Sequence, residues 1–370
     1  MDQMGSMQKL RIIQVGLGVR GQKWAEVMRA HPSVEIIGYV DTRLEVAQAL
    51  IASWQEQTPF YASLVGALAD HSADAVLLVT PPDLHHEQSM LAFQHGCHVL
   101  CEKPLTEIYA ESIALVREAE QRGLHLMVGH NFRYLPVNQH LRQMFQTQEQ
   151  GQTGFGHFTY LRNRDGNRAD LNKYPLSMHQ PMLLEQSVHH FDLMRYCYGE
   201  EITHVQADTW RPAFSTYEGD CCVSALLTFE SGFRLNYLGT WTSGHNRFAF
   251  EWRTDCSKGA IFQKQQFEEL YKTTLTPGLA LEGELFKTDA KVEPLQSIPL
   301  PACRAFYDDT RGLLDEFIGA VLHNRPLITS GKDHLKTLGV TLAVDEAAVS
   351  GQKIEMKSFY QSRGVPAAWL

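Results

Sequence analysis

Short apolar segments alternate with helical segments through the first 130 residues, and this alternation restricts the fold more than any other feature. One segment, Ala75–Val79, is continuously apolar, as in strands that are buried on both faces. Repeated strand–helix units with short connections predict a parallel, doubly wound α/β sheet. The predicted strands are Leu10–Val15, Val34–Asp41, Ala75–Val79, His98–Cys101 and Leu124–Val128. The predicted helices are Gln22–His31, Arg43–Glu56, Leu84–Gly96 and Tyr109–Arg122.

The pattern changes after Tyr134, where strands with period-two alternation dominate. Such alternation predicts an antiparallel sheet with one solvated face, and hence an α+β second half with a large, mostly antiparallel open sheet. The predicted strands are Gly156–Arg162, Val205–Trp210, Val223–Glu230, Phe233–Trp241 and Phe248–Thr254. The predicted helices are Gln139–Gln146, Pro181–Tyr198, Tyr307–His323 and Lys332–Ser350. Periodicity is poor between Phe262 and Pro301, where the prediction is weakest.

Composition excludes several classes of protein. The formal net charge of −9 argues against a protein that binds nucleic acid through its phosphate backbone. Residues Met1–Lys9 lack the apolar core of a signal peptide, and no apolar run reaches the ~18 residues of a membrane span. Seven cysteines, an odd number, imply no disulfide framework in a chain of 370 residues. We expect the adjacent Cys221 and Cys222 to be buried, reduced thiols and the protein to be cytoplasmic.

A glycine-rich motif, Gly16-Leu17-Gly18-Val19-Arg20-Gly21, directly follows the first strand and opens a helix. In that context G-x-G-x-x-G predicts a Rossmann dinucleotide-binding domain, with the pyrophosphate at the helix N-terminus. Asp41 lies 20 residues after Gly21, at the end of the second strand, where a carboxylate can bind the adenosine ribose. Asp41 favours NAD, whereas the neighbouring Arg43 would suit the 2′-phosphate of NADP, so both cofactors stay open. Thr42, between them, is also a predicted cofactor contact.

Two further motifs end strands of the first sheet. Thr80-Pro81-Pro82, with His85 nearby, follows one strand, and Glu102-Lys103-Pro104 follows the next. Because ligands of open α/β sheets bind at the carboxyl ends of strands, Thr80, Pro81, His85, Glu102 and Lys103 are predicted to border the cofactor. Over nearly its whole length the chain resembles the Gfo/Idh/MocA family of oxidoreductases. The resemblance implies that Lys103 lies near the nicotinamide and the substrate.

A third motif lies on the long predicted helix, where Glu185, His189 and Asp192 follow at i, i+4 and i+7 on one face. Members of the resembled family often read D-x-G-x-H-x-x-D here, so the chain departs from that pattern at Glu185 and Ser187. We expect His189 to act as the base for a hydroxyl proton, Glu185 to orient it, and Lys103 to hold the substrate oxygen. An ordinary i,i+4 pair of Glu185 and His189 is the alternative.

Other polar and aromatic residues have weaker signals. No metal site is predicted, because adjacent histidines on a helix diverge. Asn131 and Arg133, just past the last strand of the first sheet, are predicted substrate contacts. Arg162, Arg164 and Tyr174 are weaker candidates, for which a hydrated surface loop is the favoured interpretation. We assign Trp210, Trp241 and Trp252 to the core or to an interface, with sugar stacking as the minor option.

The expected organisation is a dinucleotide-binding domain at 1–130 and a substrate-binding and oligomerisation domain at 131–370, with terminal helices that can pack back on the first. The expected function is NAD(P)-dependent hydride transfer between nicotinamide and a secondary alcohol of a sugar, inositol or related polyol. A redox-assisted glycosidase with tightly held NAD and a non-catalytic nucleotide-binding sensor stay as alternatives. The resemblance further implies a homodimer or homotetramer formed through the C-terminal sheet, with neither nucleic acid nor membrane as a partner.

Overall fold

The structure is a computed structural model that describes residues 8–164, 166–169, 171–245, 248–265, 268–275 and 294–370. The chain divides into two compact units. The first comprises Met1–Tyr134, Arg304–Leu338 and Arg363–Leu370, and the second comprises Leu135–Cys303 and Gly339–Ser362. The C-terminal residues 304–370 are therefore divided between the two units.

A six-stranded sheet with every neighbouring pair parallel forms the centre of the first unit, in the order β3-β2-β1-β4-β5-β6. Its strands are β1 (Leu10–Val15), β2 (Val34–Val40), β3 (Phe60–Tyr61), β4 (Ala75–Leu78), β5 (His98–Glu102) and β6 (Leu126–Gly129). Its helices are α1 (Val19–Arg29), α2 (Leu44–Ser53), α3 (Leu64–Asp70), α4 (His85–Gln94) and α5 (Tyr109–Arg122). The predicted doubly wound sheet is confirmed, with β3 and α3 as additions.

The second unit contains a nine-stranded sheet in the order β14-β13-β12-β11-β7-β10-β9-β8-β15. All of its described pairs are antiparallel except β7 with β10, which confirms the predicted mostly antiparallel sheet. Its strands are β7 (Thr153–Leu161), β8 (Ile202–Trp210), β9 (Cys222–Phe229), β10 (Arg234–Thr240), β11 (Ala249–Cys256), β12 (Gly259–Lys264), β13 (Glu269–Lys272), β14 (Gln296–Ser297) and β15 (Ile354–Glu355). Before β8 come α6 (Pro136–Gln146) and α7 (Val188–Tyr198). Of the weakly periodic segment Phe262–Pro301, residues 266, 267 and 276–293 lie outside the described residues.

Three helices follow in the C-terminal part: α8 (Asp308–His323), α9 (Gly331–Ser350) and α10 (Met356–Ser362). In the first unit, Leu313 and Phe317 of α8 are buried in one apolar cluster with Trp24 of α1 and Leu77 of β4. Between α8 and α9 the chain pairs with the edge of the parallel sheet through Met127 and Ser330. Burial of apolar surface therefore makes α8 part of the core of the first unit.

Aromatic side chains fill the core of the second unit. Trp252 packs 5.4 Å from Phe158, ring centre to ring centre, and both side chains are buried. Trp241 is also buried, whereas Trp210 is 40% exposed. The core assignment holds for two of the three tryptophans, and the exposed third leaves an interface assignment open. No described helix is long and apolar enough to cross a membrane.

Candidate functional site

The glycine-rich loop joins β1 to α1. Gly16 has φ +96°, and a Cβ there would lie 2.5 Å from the carbonyl oxygen of Val79, so this turn requires glycine. A Cβ at Gly18 would have no described atom within 4 Å, which leaves the backbone open on that side. Gln14 fixes the loop, because its side-chain amide donates to the carbonyl oxygens of Gly16 (3.0 Å) and Gly21 (2.8 Å). The loop therefore packs against the sheet at Gly16 and leaves its backbone accessible at Gly18.

Gly18 is also the N-cap of α1, whose first turn contains the exposed Val19 and the half-buried Arg20. Among the described residues no side chain caps this terminus, and the first turn contains no acidic residue. Backbone N–H groups at such a helix start bind phosphate, helped by the helix dipole. The loop and the first turn of α1 therefore fit the pyrophosphate of a dinucleotide.

Asp41 follows β2 and accepts hydrogen bonds on both carboxylate oxygens. Oδ2 accepts from the backbone N–H of Leu17 (2.9 Å) and from Nη2 of Arg43 (2.9 Å), while Oδ1 accepts from the backbone N–H (2.9 Å) and Nε (3.0 Å) of Arg43. Burial raises the pKa of the Asp41 carboxyl, but these hydrogen bonds outweigh burial and hold that pKa below its ordinary value. Thr42 and the Arg43 side chain lie at the surface. An ionised carboxylate thus lies beside an exposed guanidinium at the position where the motif predicts the ribose.

Glu102 ends β5 and joins that strand to α1. Its Oε1 accepts from Nε of Arg20 (2.6 Å) and from the indole Nε1 of Trp24 (2.6 Å). Burial raises the pKa of Glu102, but the charge of Arg20 and the two hydrogen bonds outweigh burial and hold that pKa below its ordinary value. Arg20 also donates from Nη1 to the hydroxyl of Thr310 (2.9 Å). The Arg20 guanidinium therefore binds Glu102 and Thr310, whereas the backbone of Arg20 belongs to the predicted phosphate site.

The half-buried Lys103 lies on the loop after β5, and His85 fastens that loop to the one after β4. Nδ1 of His85 lies 3.0 Å from the carbonyl oxygen of Pro104 and 3.2 Å from that of Leu105. Nε2 lies 2.9 Å from the carbonyl oxygen of Thr80. Burial lowers the pKa of His85. The sequence predicts a cofactor contact for His85, but its fully buried ring instead joins the two loops that carry the other predicted contacts.

Two further contacts shape these loops. The backbone N–H of Leu105 donates to Nε2 of the buried His334 (3.1 Å). His334 lies 229 positions further along the chain. That separation explains why nothing local in the sequence signals His334. The Thr80 hydroxyl donates to Oε1 of Gln88 (2.7 Å), and Pro81 is exposed next to it. The Lys103 loop is therefore held by histidines that precede and follow it in the chain.

The sequence predicts substrate contacts for Asn131 and Arg133, and the structure gives both side chains other partners. Asn131 is 3% exposed and Arg133 is 4% exposed. Arg133 donates from Nη1 to the carbonyl oxygen of Ile328 (3.0 Å) and from Nη2 to Asp333 (2.5 Å). Asn131 donates to the carboxylate of Asp309. Because charged and amide groups are buried only with partners, these two side chains hold the C-terminal segment of their own unit.

Glu185 and His189 lie on an irregular part of the long predicted helix. Residues Leu183–Ser187 form a π-helical turn, and the regular helix α7 starts at Val188. A π-helical turn has i→i+5 hydrogen bonds and is wider than an α-helical turn. One regular α-helix through Glu185 is therefore wrong, while the shared face of Glu185, His189 and Asp192 stays a prediction. Glu185 is half-buried, while His189 (7% exposed) and Asp192 (1% exposed) are buried on α7.

His190 faces the second sheet, with its ring centre 4.7 Å from Phe158 and 4.7 Å from Tyr160. Burial lowers the pKa of His190 to about 3, so the ring is neutral. His190 is therefore a packed residue in the interior of the second unit. Among the described residues no group of three or more His, Cys, Asp or Glu side chains is placed to hold a metal ion.

Arg164, in the polar loop after β7, packs on aromatic rings. Arg164 donates from Nη1 to the hydroxyl of Tyr217 (2.6 Å) and lies 4.3 Å from the ring centre of Trp241. Such stacking holds the guanidinium in place. Arg162 and Tyr174 remain candidates without an assigned ligand.

Comparisons with known proteins agree with this geometry. Residues 10–130 match a family described as "Oxidoreductase family, NAD-binding Rossmann fold", and residues 138–262 match the "GFO/IDH/MocA C-terminal domain". The chain belongs to the Gfo/Idh/MocA family of oxidoreductases. Its glycine-rich loop and Asp41 fit NAD, so this family member is an NAD-binding oxidoreductase.

Three relatives illustrate the range of the family. D-apiose dehydrogenase of Paraburkholderia graminis is 25% identical over 93% of this chain and 89% of its own length. An inositol 2-dehydrogenase of Rhodococcus jostii is 29% identical over 70% of this chain and 69% of its own. The crystal structure of an oxidoreductase from Agrobacterium radiobacter, in complex with NAD+, L-tartaric acid and magnesium, superposes with a TM-score of 0.80 at 18% identity, over 95% of this chain and 99% of that one. At that identity the match establishes the fold.

Proposed function

We propose that this oxidoreductase is a dehydrogenase that transfers a hydride between NAD and a secondary alcohol of a sugar, an inositol or a related polyol. The observation that carries the proposal is the fixed placement of the Lys103 loop beside the nucleotide loop. Glu102 binds both Arg20 and Trp24 of α1, so the residue before Lys103 is tied to the helix that starts at the glycine-rich loop. As the family resemblance implies, we assign Lys103 to the nicotinamide end of the bound dinucleotide.

The dinucleotide, when bound, supplies the hydride acceptor, and the chain supplies its binding site. We assign the pyrophosphate to Gly16, Gly18 and the first-turn N–H groups of α1. The ribose hydroxyls are assigned to Asp41, whose ionised carboxylate accepts hydrogen bonds. The same carboxylate repels a 2′-phosphate, which favours NAD, although the exposed Arg43 could stabilise NADP. NAD is therefore the proposed physiological cofactor.

The residues of the chain handle the proton and the developing charge. His189 accepts the hydroxyl proton, because an imidazole exchanges protons near neutral pH. The Lys103 ammonium holds the substrate oxygen and stabilises its developing negative charge. Glu185 orients the imidazole or stabilises its protonated form from the preceding turn. The sugar or polyol class is supported by the names of the relatives, apiose and inositol dehydrogenases.

The test is oxidation of a panel of cyclic polyols and aldoses with NAD and, separately, NADP, followed through the absorbance of the reduced nicotinamide. Lys103→Ala and His189→Ala should each lower kcat on the best substrate by about 10²–10⁴-fold. Lys23→Ala and His157→Ala remove the same charges from exposed positions and should leave kcat within about twofold. Parent-like rates in both site variants would overturn the assignment. Cofactor turnover without net reduced nicotinamide would instead identify the redox-assisted glycosidase, and nucleotide binding with no turnover would identify the sensor.

We also propose that the second sheet forms a homodimer or homotetramer interface. Phe155 on β7 and Trp210 on β8 are 54% and 40% exposed. Exposed aromatic side chains on an open sheet favour association with another copy. Light scattering of the parent and of Phe155→Lys tests this, and a monodisperse parent monomer would refute it.

A cytoplasmic location is likewise proposed. All seven cysteines are free thiols. Five of them are buried, including the adjacent pair as predicted, and two are half-buried: Cys97, Cys101, Cys197, Cys221 and Cys222 are buried, and Cys256 and Cys303 are half-buried. Reduced cysteines suit a reducing compartment.

A further inference from the structure

The π-helical turn is fastened to the second sheet by side chains that the catalytic proposal does not use. Gln186 and Ser187, which directly follow Glu185, each make a side-chain hydrogen bond on that side. Ser187 is one of the two positions at which the chain departs from the pattern of the family that it resembles. Its hydroxyl makes a hydrogen bond with Tyr237 of the second sheet that a glycine could not make.

Four hydrogen bonds form one continuous chain through five residues. The Tyr160 hydroxyl donates to Oε1 of Gln186 (3.1 Å), and Nε2 of Gln186 lies 3.1 Å from Nε2 of His190. Nδ1 of His190 lies 2.9 Å from the hydroxyl of Tyr237, and that hydroxyl lies 2.8 Å from Oγ of Ser187. The chain thus leaves the turn at Gln186 and returns to it at Ser187.

Hydrogen-bonding chemistry gives this chain one direction. An amide Nε2 can only donate, so Nε2 of His190 accepts from Gln186. The neutral His190 then carries its proton on Nδ1 and donates to Tyr237. Tyr237 has its own proton left and donates it to Ser187. Each donor meets one acceptor, so the arrangement fixes the turn in a single way.

The strands that carry Tyr160 and Tyr237 are neighbours in the second sheet. β7 and β10 are paired in parallel, with Tyr237 opposite Phe158 and Gly239 opposite Tyr160. Both tyrosines are buried, at 1% exposure each. A Cβ at position 239 would lie 2.4 Å from the Tyr237 hydroxyl, so the glycine leaves the space in which that hydroxyl reaches the turn. The contact between sheet and turn is therefore closely fitted.

We propose that Tyr237, together with Ser187 and His190, is a positioning residue that holds the π-helical turn and so fixes where Glu185 stands relative to His189. The proposal rests on the proposed function, in which His189 is the base. In the proposed reaction Tyr237 does not touch the reacting atoms. Its effect on the reaction passes through the turn.

The experiment compares Tyr237→Phe with Tyr198→Phe. Tyr198 is a matched control, because it is also buried and its hydroxyl also has two side-chain partners, Thr254 (2.7 Å) and Trp252 (2.8 Å), at the other end of α7. We measure kcat, KM, the pH dependence of kcat/KM, and Tm. Tyr237→Phe should lower kcat by about 10–100-fold with KM changed less than about threefold, since small misplacements of catalytic groups are costly. The acidic limb of its pH profile should move by about half a unit or more, because the Glu185 charge shifts relative to His189.

Tyr198→Phe should lower Tm to a similar extent and leave the pH profile unchanged. A Tyr237→Phe variant with lowered Tm but parental kcat and pH profile would overturn the proposal, since the network would then be purely structural. If Tyr237→Phe does not fold, Ser187→Ala, which removes the end of the chain, decides by the same measurements. His189→Ala is assayed alongside: full activity there refutes the proposed function, whereas its inactivity together with a parent-like Tyr237→Phe refutes the positioning role alone.

Discussion

Replacing Glu102 by glutamine removes the charge that joins β5 to α1 while it keeps the shape of the side chain. In the parent, one carboxylate oxygen accepts from both Arg20 and Trp24 at 2.6 Å. Glutamine keeps a carbonyl oxygen as an acceptor but loses the ion pair. The Arg20 guanidinium would then lose its charged partner and keep Thr310.

The magnitude follows from the burial of the pair. Removing one partner of a fully buried ion pair costs about 3–5 kcal/mol. The side chains of Arg20 and Glu102 are 23% and 11% exposed, and glutamine retains one neutral hydrogen bond, so we expect about 2–3 kcal/mol. In a unit of this size, that corresponds to a Tm lower by roughly 5–10 °C.

The loss should depend on pH in a definite direction. Because Arg20 and Trp24 hold the pKa of Glu102 below its ordinary value, the carboxylate contributes its full stabilisation above the unfolded-state pKa of about 4.3. The contribution is lost as the pH falls through the lower folded-state pKa. The difference in unfolding free energy between parent and Glu102→Gln should therefore be constant from pH 7 to about 5.5 and shrink below about pH 4.

Urea unfolding at several pH values measures this difference, and scanning calorimetry at pH 7 measures Tm. Glu118→Gln is the control, because Glu118 pairs with Arg122 on the surface helix α5 and should cost less than about 0.5 kcal/mol. A Glu102→Gln difference below about 1 kcal/mol at pH 7, or one that grows as the pH falls, would mean that the Glu102–Arg20 ion pair does not stabilise the first unit in this way.

Three further substitutions test other parts of the site. Asp41→Ser should raise the ratio of kcat/KM for NADP over NAD about tenfold or more, because repulsion of the 2′-phosphate is removed and Arg43 becomes available to it; an unchanged ratio would contradict the ribose assignment. Arg133→Lys should lower the unfolding free energy by about 1–3 kcal/mol without changing the substrate KM, since its guanidinium serves Asp333; a KM change with parental stability would restore it as a substrate ligand. His85→Ala should lower kcat and Tm together because two loops come apart, and lowered kcat at parental Tm would argue against a bracing role.

Local signals in the sequence account for the predictions that the structure confirms. Alternating strands and helices are visible within short windows, and the helix Tyr109–Arg122 has the predicted ends. The glycine-rich loop is equally local, since its three glycines and the strand before it lie within a dozen residues. The fold class can therefore be predicted from local sequence patterns, without knowledge of contacts between distant residues.

The two predicted substrate contacts, Asn131 and Arg133, have partners that are distant in the chain. Arg133 meets Asp333 across 200 positions and Asn131 meets Asp309 across 178. A polar residue in a loop after a strand looks the same whether it faces a ligand or a distant carboxylate. The π-helical turn is hidden for a similar reason, since the side chains that hold it, above all Tyr237, come from another part of the sequence.

In the proposed reaction, a carbon-bound hydrogen of the alcohol is transferred to the nicotinamide with His189 as the base. The direct measurement uses the best polyol substrate deuterated at the reacting carbon, with NAD, and follows the products by NMR. We expect one reduced nicotinamide per ketone formed, with the deuterium at C4 of the nicotinamide, and a loss of that transfer in His189→Ala. Ketone formation with deuterium released to water, or undiminished transfer in His189→Ala, would contradict it.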